Sequence, residues 1–500
     1  MAYAPSVAGD ISALVERGQA ALAACDWATA RSCFEQAAEI DETAEVVDGL
    51  GQALYWQGDY PQALALRERA YALYHRRGDR RWAALVAIQL AGLHGLIYGN
   101  AAAVSGWIAH AQRMLEDCGD CPERGWLELF LGCITDDPGE RERRARDAME
   151  VGRRFGQPAL EFDALGYVGK ALVERGLIEQ GMQLIDEAVA ATTSGVVTDP
   201  WAAGEIYCTL FDACEMTVDV RRAEGWLGAV DNYVERTGEL PISGICRMHY
   251  GGLLTAAGRW DDAERELLTA IRIYEGTYRG TLFYPLLRLA DLRVRQGRLE
   301  EAQQLLSGYE ELADAVQPRA RLHLARGEGE LAETIIERHL AQRGRGVLSA
   351  PILALLVEAK LAGGRVEEAR SVAVELADLA ASSRQTPVHG LAALSQARVA
   401  VAAGQETAVE LFERALTAFA EAELLCEAAH TRLELATLLA TVKPEVARAE
   451  ARAALVCFQQ LEASRDADAA ANLLRKLGEM GRPSPKGLGP LTKRESEVLR

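Results

Sequence analysis

The amino-acid sequence predicts an all-α protein, a superhelical solenoid of about twelve stacked helix pairs. Three observations predict it. A small residue recurs five positions after a turn glycine: Gly58 precedes Ala63, Gly176 precedes Gly181, Gly258 precedes Ala263, Gly297 precedes Ala302, Gly327 precedes Ala332 and Gly364 precedes Ala369. Alternating β-branched runs bounded by turns do not occur, and alanine and leucine dominate the periodic segments. Five hundred residues also exceed what one hydrophobic core organises, so an array that extends its core by stacking is favoured.

Each repeated segment reads as helix, tight turn, helix. The glycine ends the first helix in the left-handed conformation that lacks a Cβ penalty, and the small residue lets the second helix approach the first closely. Extended along the chain, this anchor gives Ala30, Ala63, Ala103, Ala145, Gly181, Ala223, Ala263, Ala302, Ala332, Ala369, Ala408 and Ala447. The first two lie 33 residues apart, and the later spacings are mostly 36 to 42. The array is expected to fill residues 1–480, with the stretch from Asp468 to Met480 capping its end.

Gly18, Ala30, Phe34 and Ala37, then Gly51, Tyr60, Ala63 and Ala70, and later Gly251, Trp260, Ala263, Leu267 and Ala270 carry a recognisable pattern. They resemble tetratricopeptide repeats. That resemblance implies a right-handed superhelix with a long concave channel lined by the first helix of each pair, of a kind that holds peptides or small molecules.

Composition narrows the class. Hydrophobic residues make up 49% and charged residues 25%, enough apolar surface for a packed core. Met1 to Asp10 carries no basic stretch before an apolar run, and Ala83 to Ile97 is interrupted by Gln89 and His94, so a cytoplasmic protein without secretory signal or membrane span is expected. Ten cysteines are then most simply reduced thiols. A net charge of -19 repels nucleic acid. The exception is local, since Arg475 to Arg500 holds seven basic against three acidic residues.

After residue 480 the chain changes character. Residues 481–490, Gly-Arg-Pro-Ser-Pro-Lys-Gly-Leu-Gly-Pro, deny both helix and sheet and read as a linker. Residues 491–500 then open a new helix, with Thr492 as N-cap and Glu495 completing a capping box. Leu491, Thr492, Arg494, Glu495, Glu497, Val498 and Leu499 resemble the first helix of the helix-turn-helix domain of LuxR-type transcriptional regulators. The order of repeats, linker and this helix is similar to MalT-like and actinobacterial regulators. Further stretches share the likeness: Ala454, Phe458, Leu461, Ala470 and Leu477; Gly181, Leu184, Asp186, Glu187 and Ala188; Asp199, Pro200, Gly204, Tyr207, Cys208 and Cys214; Arg221, Arg222, Ala223 and Trp226.

The resemblance implies a DNA-binding transcriptional regulator whose solenoid senses a small-molecule or protein effector. Thr492, Lys493 and Arg494 would begin the DNA-binding domain, whose recognition helix is expected beyond residue 500. A homodimer is implied because such domains usually read paired sites. The nucleotide-binding domain of many relatives is not expected, because Gly166 to Lys170 has the wrong spacing for a phosphate loop and no other candidate exists. The alternative is a repeat scaffold that docks protein partners without DNA.

The candidate ligand contacts follow from the tetratricopeptide likeness, which brings Tyr55, Trp56, Lys170, Glu205, Cys208, Asp212 and Glu215 toward the channel. All eight tryptophans lie between Trp27 and Trp260, which suggests fillers at repeat turns before an aromatic pocket. Tyr274, Tyr278, Phe283 and Tyr284 read as a second aromatic wall or as core. Two thiol groups are weighed for zinc: Cys118 and Cys121 with His110 and Cys133, and Cys208, Cys214 and Cys246 with His249. Ordinary packing thiols are the alternative for both, redox or ligand sensing a further one for the second, and no metal or cofactor is expected. The run Arg141 to Arg146 reads as a solvated face. No nucleophile elbow, metalloprotease helix or phosphate loop is present, so an enzyme is not expected.

Overall fold

The computed structural model describes residues 7–238 and 241–479. Among them are twenty-five α-helices, three single-turn 3-10 segments and no strand. The helices fall into pairs: α1 (Val7–Ala23) with α2 (Trp27–Ile40), α3 (Ala44–Trp56) with α4 (Tyr60–Arg77), α5 (Arg80–Tyr98) with α6 (Ala101–Leu115), and α7 (Pro122–Ile134) with α8 (Pro138–Phe155). The middle of the chain continues with α9 (Pro158–Glu174) and α10 (Ile178–Thr193), α11 (Pro200–Thr217) and α12 (Val220–Thr237), α13 (Pro241–Ala257) and α14 (Trp260–Gly276), and α15 (Phe283–Arg295) and α16 (Leu299–Leu306). The last pairs are α17 (Val316–Ala325) and α18 (Gly329–Arg343), α19 (Ala350–Ala362) and α20 (Val366–Ala381), α21 (Thr386–Ala402) and α22 (Ala408–Glu421), and α23 (Leu425–Leu439) and α24 (Pro444–Gln460). A final helix, α25 (Ser464–Lys476), covers the open end of α24, as a solenoid cap must.

The pairs form where the anchor places them. Gly58, Gly176, Gly258, Gly297, Gly327 and Gly364 all have φ between 72 and 85° and sit between the two helices of a pair. The anchor residue is the fourth of the second helix in α2, α4, α10, α12, α14, α16, α18, α20 and α24. Contact there is backbone to backbone in the tightest case, since a Cβ on Gly181 would strike the carbonyl oxygen of Gly169. Ala408 opens α22 and is buried as well.

Two anchors are displaced. In α6 the fourth residue is Val104, which packs over Gly95, so Ala103 is not the contact. In α8 it is Arg141, and Ala145 lies one turn later. Arg141 is 7% exposed, donates from Nε to the Gly132 carbonyl at 3.2 Å and pairs with Glu174. The Arg141 to Arg146 run is therefore not a solvated face throughout. Its first member is a buried structural cation.

First and second helices differ in burial. α11 buries residues around nearly its whole circumference, whereas α12 buries one stripe made of Val220, Ala223, Val230, Tyr233 and Thr237. First helices therefore lie inside and second helices outside. Successive turns also touch, four to five pairs apart. Trp27 Nε1 donates to the Thr237 carbonyl at 3.3 Å, Tyr55 meets Tyr278, Glu179 pairs with Arg384 at 2.9 Å, and Arg221 pairs with Glu423 at 2.8 Å. Gly99 and Gly280 approach so closely that a Cβ on Gly280 would overlap the Gly99 backbone. The inner faces of successive turns are thereby brought against one another, as in the cluster of Tyr55, Trp56, Trp201, Tyr274 and Tyr278. No described helix is long and apolar enough to cross a membrane.

Candidate functional site

Helical spacing sets the site. On α9, Asp163, Tyr167, Lys170 and Glu174 share one face, and on α11 so do Trp201, Glu205, Cys208, Asp212 and Glu215. α13 contributes His249, and α15 contributes Tyr284, Arg288, Asp291 and Arg295. These are the inward faces of adjacent first helices, so residues far apart in sequence converge.

The centre is an ion network. Lys170 Nζ pairs with Asp212 Oδ2. Arg288 grips Glu215 with two bonds, Nε to Oε1 at 2.8 Å and Nη2 to Oε2 at 2.7 Å. His249 Nδ1 lies 2.7 Å from the same Oε2 and 3.6 Å from Asp212 Oδ1. Gly252 leaves the space, because a Cβ there would collide with the Glu215 carboxylate. These five side chains keep only 11 to 20% of their surface exposed.

Burial disfavours every charge in this group, and partners reverse it. Against desolvation, Lys170 and His249 carry the Asp212 carboxyl below the usual range, and Arg288 with His249 does the same for Glu215. Desolvation of Lys170 is likewise outweighed by Asp212 and Glu174, and that of Arg288 by Glu215. The network continues along the inner face: Asp291 pairs with Arg295 at 3.0 Å and Arg321 at 3.1 Å, Arg295 with Glu427 at 2.9 Å, and Arg398 with Glu434 at 2.7 Å and Glu358 at 3.1 Å.

Asp212, Glu215 and His249 bring oxygen and nitrogen donors within 4.8 Å of one another, the spacing of a metal site. Arg288 Nη2 stands 3.3 Å from His249 Nδ1 and already neutralises Glu215. A divalent cation would have to displace it, so the donor set fits an internal ion pair better than a metal.

The sequence-derived contacts divide into four parts. Lys170, Asp212 and Glu215 meet as described. Glu205 accepts a hydrogen bond from Tyr167 at 3.0 Å, closer to the start of α11. Tyr55 and Trp56, on α3, face Trp201, with ring centroids 5.9 and 6.0 Å away, and Trp27 stacks on Trp56 at 5.1 Å. Cys208 instead points into the α11–α13 interface, where its Sγ lies 2.9 Å from Cys246 Sγ and 3.5 Å from the Ile242 carbonyl. Burial and the adjacent Cys246 push that thiol well up, leaving it protonated and a poor nucleophile.

His249 sits with carboxylates rather than with the cysteines. Cys118 donates to the Met114 carbonyl and His110 bonds Tyr71, so those residues are engaged locally. Tyr274 and Tyr278 are 2 and 0% exposed and belong to the core. Asp163, Tyr167, Trp201 and Arg288 were missed by sequence reasoning. The signal existed, since Tyr167 precedes Lys170 by three positions and Trp201 precedes Glu205 by four, within the same helical stripes. Thr492, Lys493 and Arg494 lie outside the described residues, as do the linker and the helix-turn-helix start. On the outer surface, α20, α21 and α22 border an open cleft of about 770 Å³ lined by Arg384, His389, Glu410, Glu413, Arg414 and Glu421.

No protein-family model matches the chain, and no curated protein matches it significantly. Solved structures do. The crystal structure of the APC/C hetero-tetramer Cut9-Hcn1 is similar at 13% identity, covering 94% of this chain and 96% of that chain with a TM-score of 0.39. The crystal structure of yeast Tom70 is similar at 11% identity, covering 88% of this chain and 98% of that chain with a TM-score of 0.37. The fold stands on the helix pairs described above rather than on these likenesses.

Proposed function

We propose that this chain is the effector-receiving region of a LuxR-type transcriptional regulator, in which occupancy of the inner face alters how a DNA-binding domain beginning near Thr492 is presented. The observation that carries the reading is the chemistry of the inner face. Pairs stack through apolar surface, yet the faces turned inward carry Lys170, Asp212, Glu215, His249 and Arg288. A stack held by apolar contacts needs no such network for its own stability, because buried ion pairs roughly break even against apolar packing. An inner face of paired charges gives a polar effector groups to exchange with, and turn-to-turn contacts such as Glu179 with Arg384 give a ligand-sensitive spacing to transmit. The DNA-binding part rests on the likeness of residues 491–500.

The test uses the intact protein. Co-purified small molecules are identified by mass spectrometry, and promoter-fragment affinity is measured with and without each. Effector-dependent affinity supports the reading, and affinity indifferent to every bound compound overturns it. A second reading, a scaffold that docks protein partners, is favoured by the charged outer cleft of α20, α21 and α22. Charge reversal at Arg414 separates the two, because it would abolish partner capture without altering an effector response.

A further inference from the structure

We propose that the inner face beside Asp163 and Glu205 is a site for a small organic cation bearing an ammonium group, walled by the rings of Trp56, Trp201 and Tyr55. The inference deepens the effector-receiving reading by naming the chemical class of the effector. It begins from an anomaly in pairing.

Buried carboxylates elsewhere on the inner face have a cation: Asp212 has Lys170, Glu215 has Arg288, Glu174 has Arg141, and Asp291 has Arg295 and Arg321. Asp163 differs. It is 3% exposed, and no group among the described residues donates a hydrogen bond to its Oδ1. Its charged neighbours are Glu205 and Asp199, both acidic, and Asp199 is spent on capping α11 through the Ala202 N–H at 2.8 Å. Lys170 lies within electrostatic reach of Glu205 but is held by Asp212.

An isolated buried carboxylate is costly and calls for a proton or a cation. The surroundings favour the cation. Tyr167, one turn after Asp163, orients Glu205 through its hydroxyl at 3.0 Å. Glu205 is less buried than Asp163 and keeps part of its surface accessible. Trp201, one turn before Glu205, sets its ring 5.9 Å from Tyr55 and 6.0 Å from Trp56. Carboxylates beside aromatic faces suit an ammonium group, whose charge is attracted to both. A divalent metal needs six or more oxygen ligands or several retained waters, and aromatic walls supply none. An anion would meet Asp163 and Glu205 directly.

The experiment titrates the intact protein with n-butylammonium and tetramethylammonium chloride, with 1-butanol and magnesium chloride as controls, by calorimetry and tryptophan fluorescence. Saturable binding of at least one ammonium probe is expected. Asp163→Asn and Glu205→Gln should each weaken it by about tenfold or more, as loss of a charged partner does. Trp201→Leu should weaken it about fivefold through the lost cation–π contact. Circular dichroism establishes that each variant is folded. Absence of ammonium binding, ammonium binding unchanged in both carboxyl variants, or magnesium binding in place of ammonium binding would each overturn the site. The functional reading fails separately: ammonium binding with promoter affinity indifferent to every bound compound removes the regulator and keeps the site, whereas absence of ammonium binding with another compound shifting promoter affinity does the reverse.

Discussion

Tyr55 and Tyr278, 223 residues apart in the chain, bring their hydroxyl oxygens to 2.8 Å. They are 3 and 0% exposed, and burial raises both phenols, so both stay protonated and one donates to the other. The bond ties one turn of the solenoid to the next. Tyr278→Phe leaves the Tyr55 hydroxyl buried without its partner and is expected to cost about 1–2 kcal/mol in urea unfolding. The double variant with Tyr55→Phe should cost less than the sum of the two single changes. Strict additivity would remove the bond from the account of turn closure.

Arg288 carries the largest expected single-residue effect. Arg288→Met removes the two-bond grip on Glu215 and leaves that carboxylate buried beside His249. A loss of about 3 kcal/mol is expected, because breaking a buried pair exposes the desolvation penalty of the survivor. Adding Glu215→Gln should restore part of it. Equal instability of the double variant would show that packing, and not charge, is what Arg288 supplies.

Asp163 and Asp212 should respond to pH in opposite directions. Burial first, then Glu205 and Asp199, hold the Asp163 carboxyl well above the usual range, so the folded chain keeps a proton that the unfolded chain releases near pH ~4. Its contribution is complete below that pH and is lost as pH rises through the folded value. Asp163→Asn should therefore match the parent in Tm near pH ~4 and exceed it increasingly toward pH ~8, with no ammonium probe present. Asp212 is held low, so its contribution is present above pH ~4 and is lost as pH falls through its folded value. Asp212→Asn should cost most near neutrality, and an advantage of Asp163→Asn that shrank with rising pH would contradict the raised carboxyl.

Glu462 occupies a turn position with φ 54° and an exposed side chain. Glycine is free of the Cβ penalty there, so Glu462→Gly is expected to raise stability by about 1 kcal/mol. Differential scanning calorimetry reads the shift, and a lower Tm would mean that the side chain holds the turn in some other way.

Gly181 offers the converse. A Cβ at this position meets the Gly169 carbonyl oxygen and Val173, both across the α9–α10 contact. Gly181→Ala is expected to cost about 1–3 kcal/mol through forced separation of two packed backbones. Loss of ammonium or effector binding should accompany it, because α9 carries Asp163, Tyr167 and Lys170.

By itself the amino-acid sequence determined the helices, their pairing and their number, because those depend on local rules. Glycines with φ near 80° and small residues at the fourth position of the second helix act within about ten residues of one another, and apolar periodicity acts within one helix. Where a pair departs from the rule, as at Arg141 in place of an alanine, the local pattern misleads, since a long cation can be buried if Gly132 and Glu174 receive it. The expectation that Lys170, Asp212 and Glu215 turn inward came from the likeness to tetratricopeptide repeats and not from a local rule. Only the tertiary structure decided that Cys208 turns into a helix interface, that His249 and Arg288 join Glu215, and that Asp163 is left with acidic neighbours. Those outcomes depend on how the neighbouring first helices α9, α11, α13 and α15 are rotated against one another, inter-pair angles that no short stretch of sequence encodes.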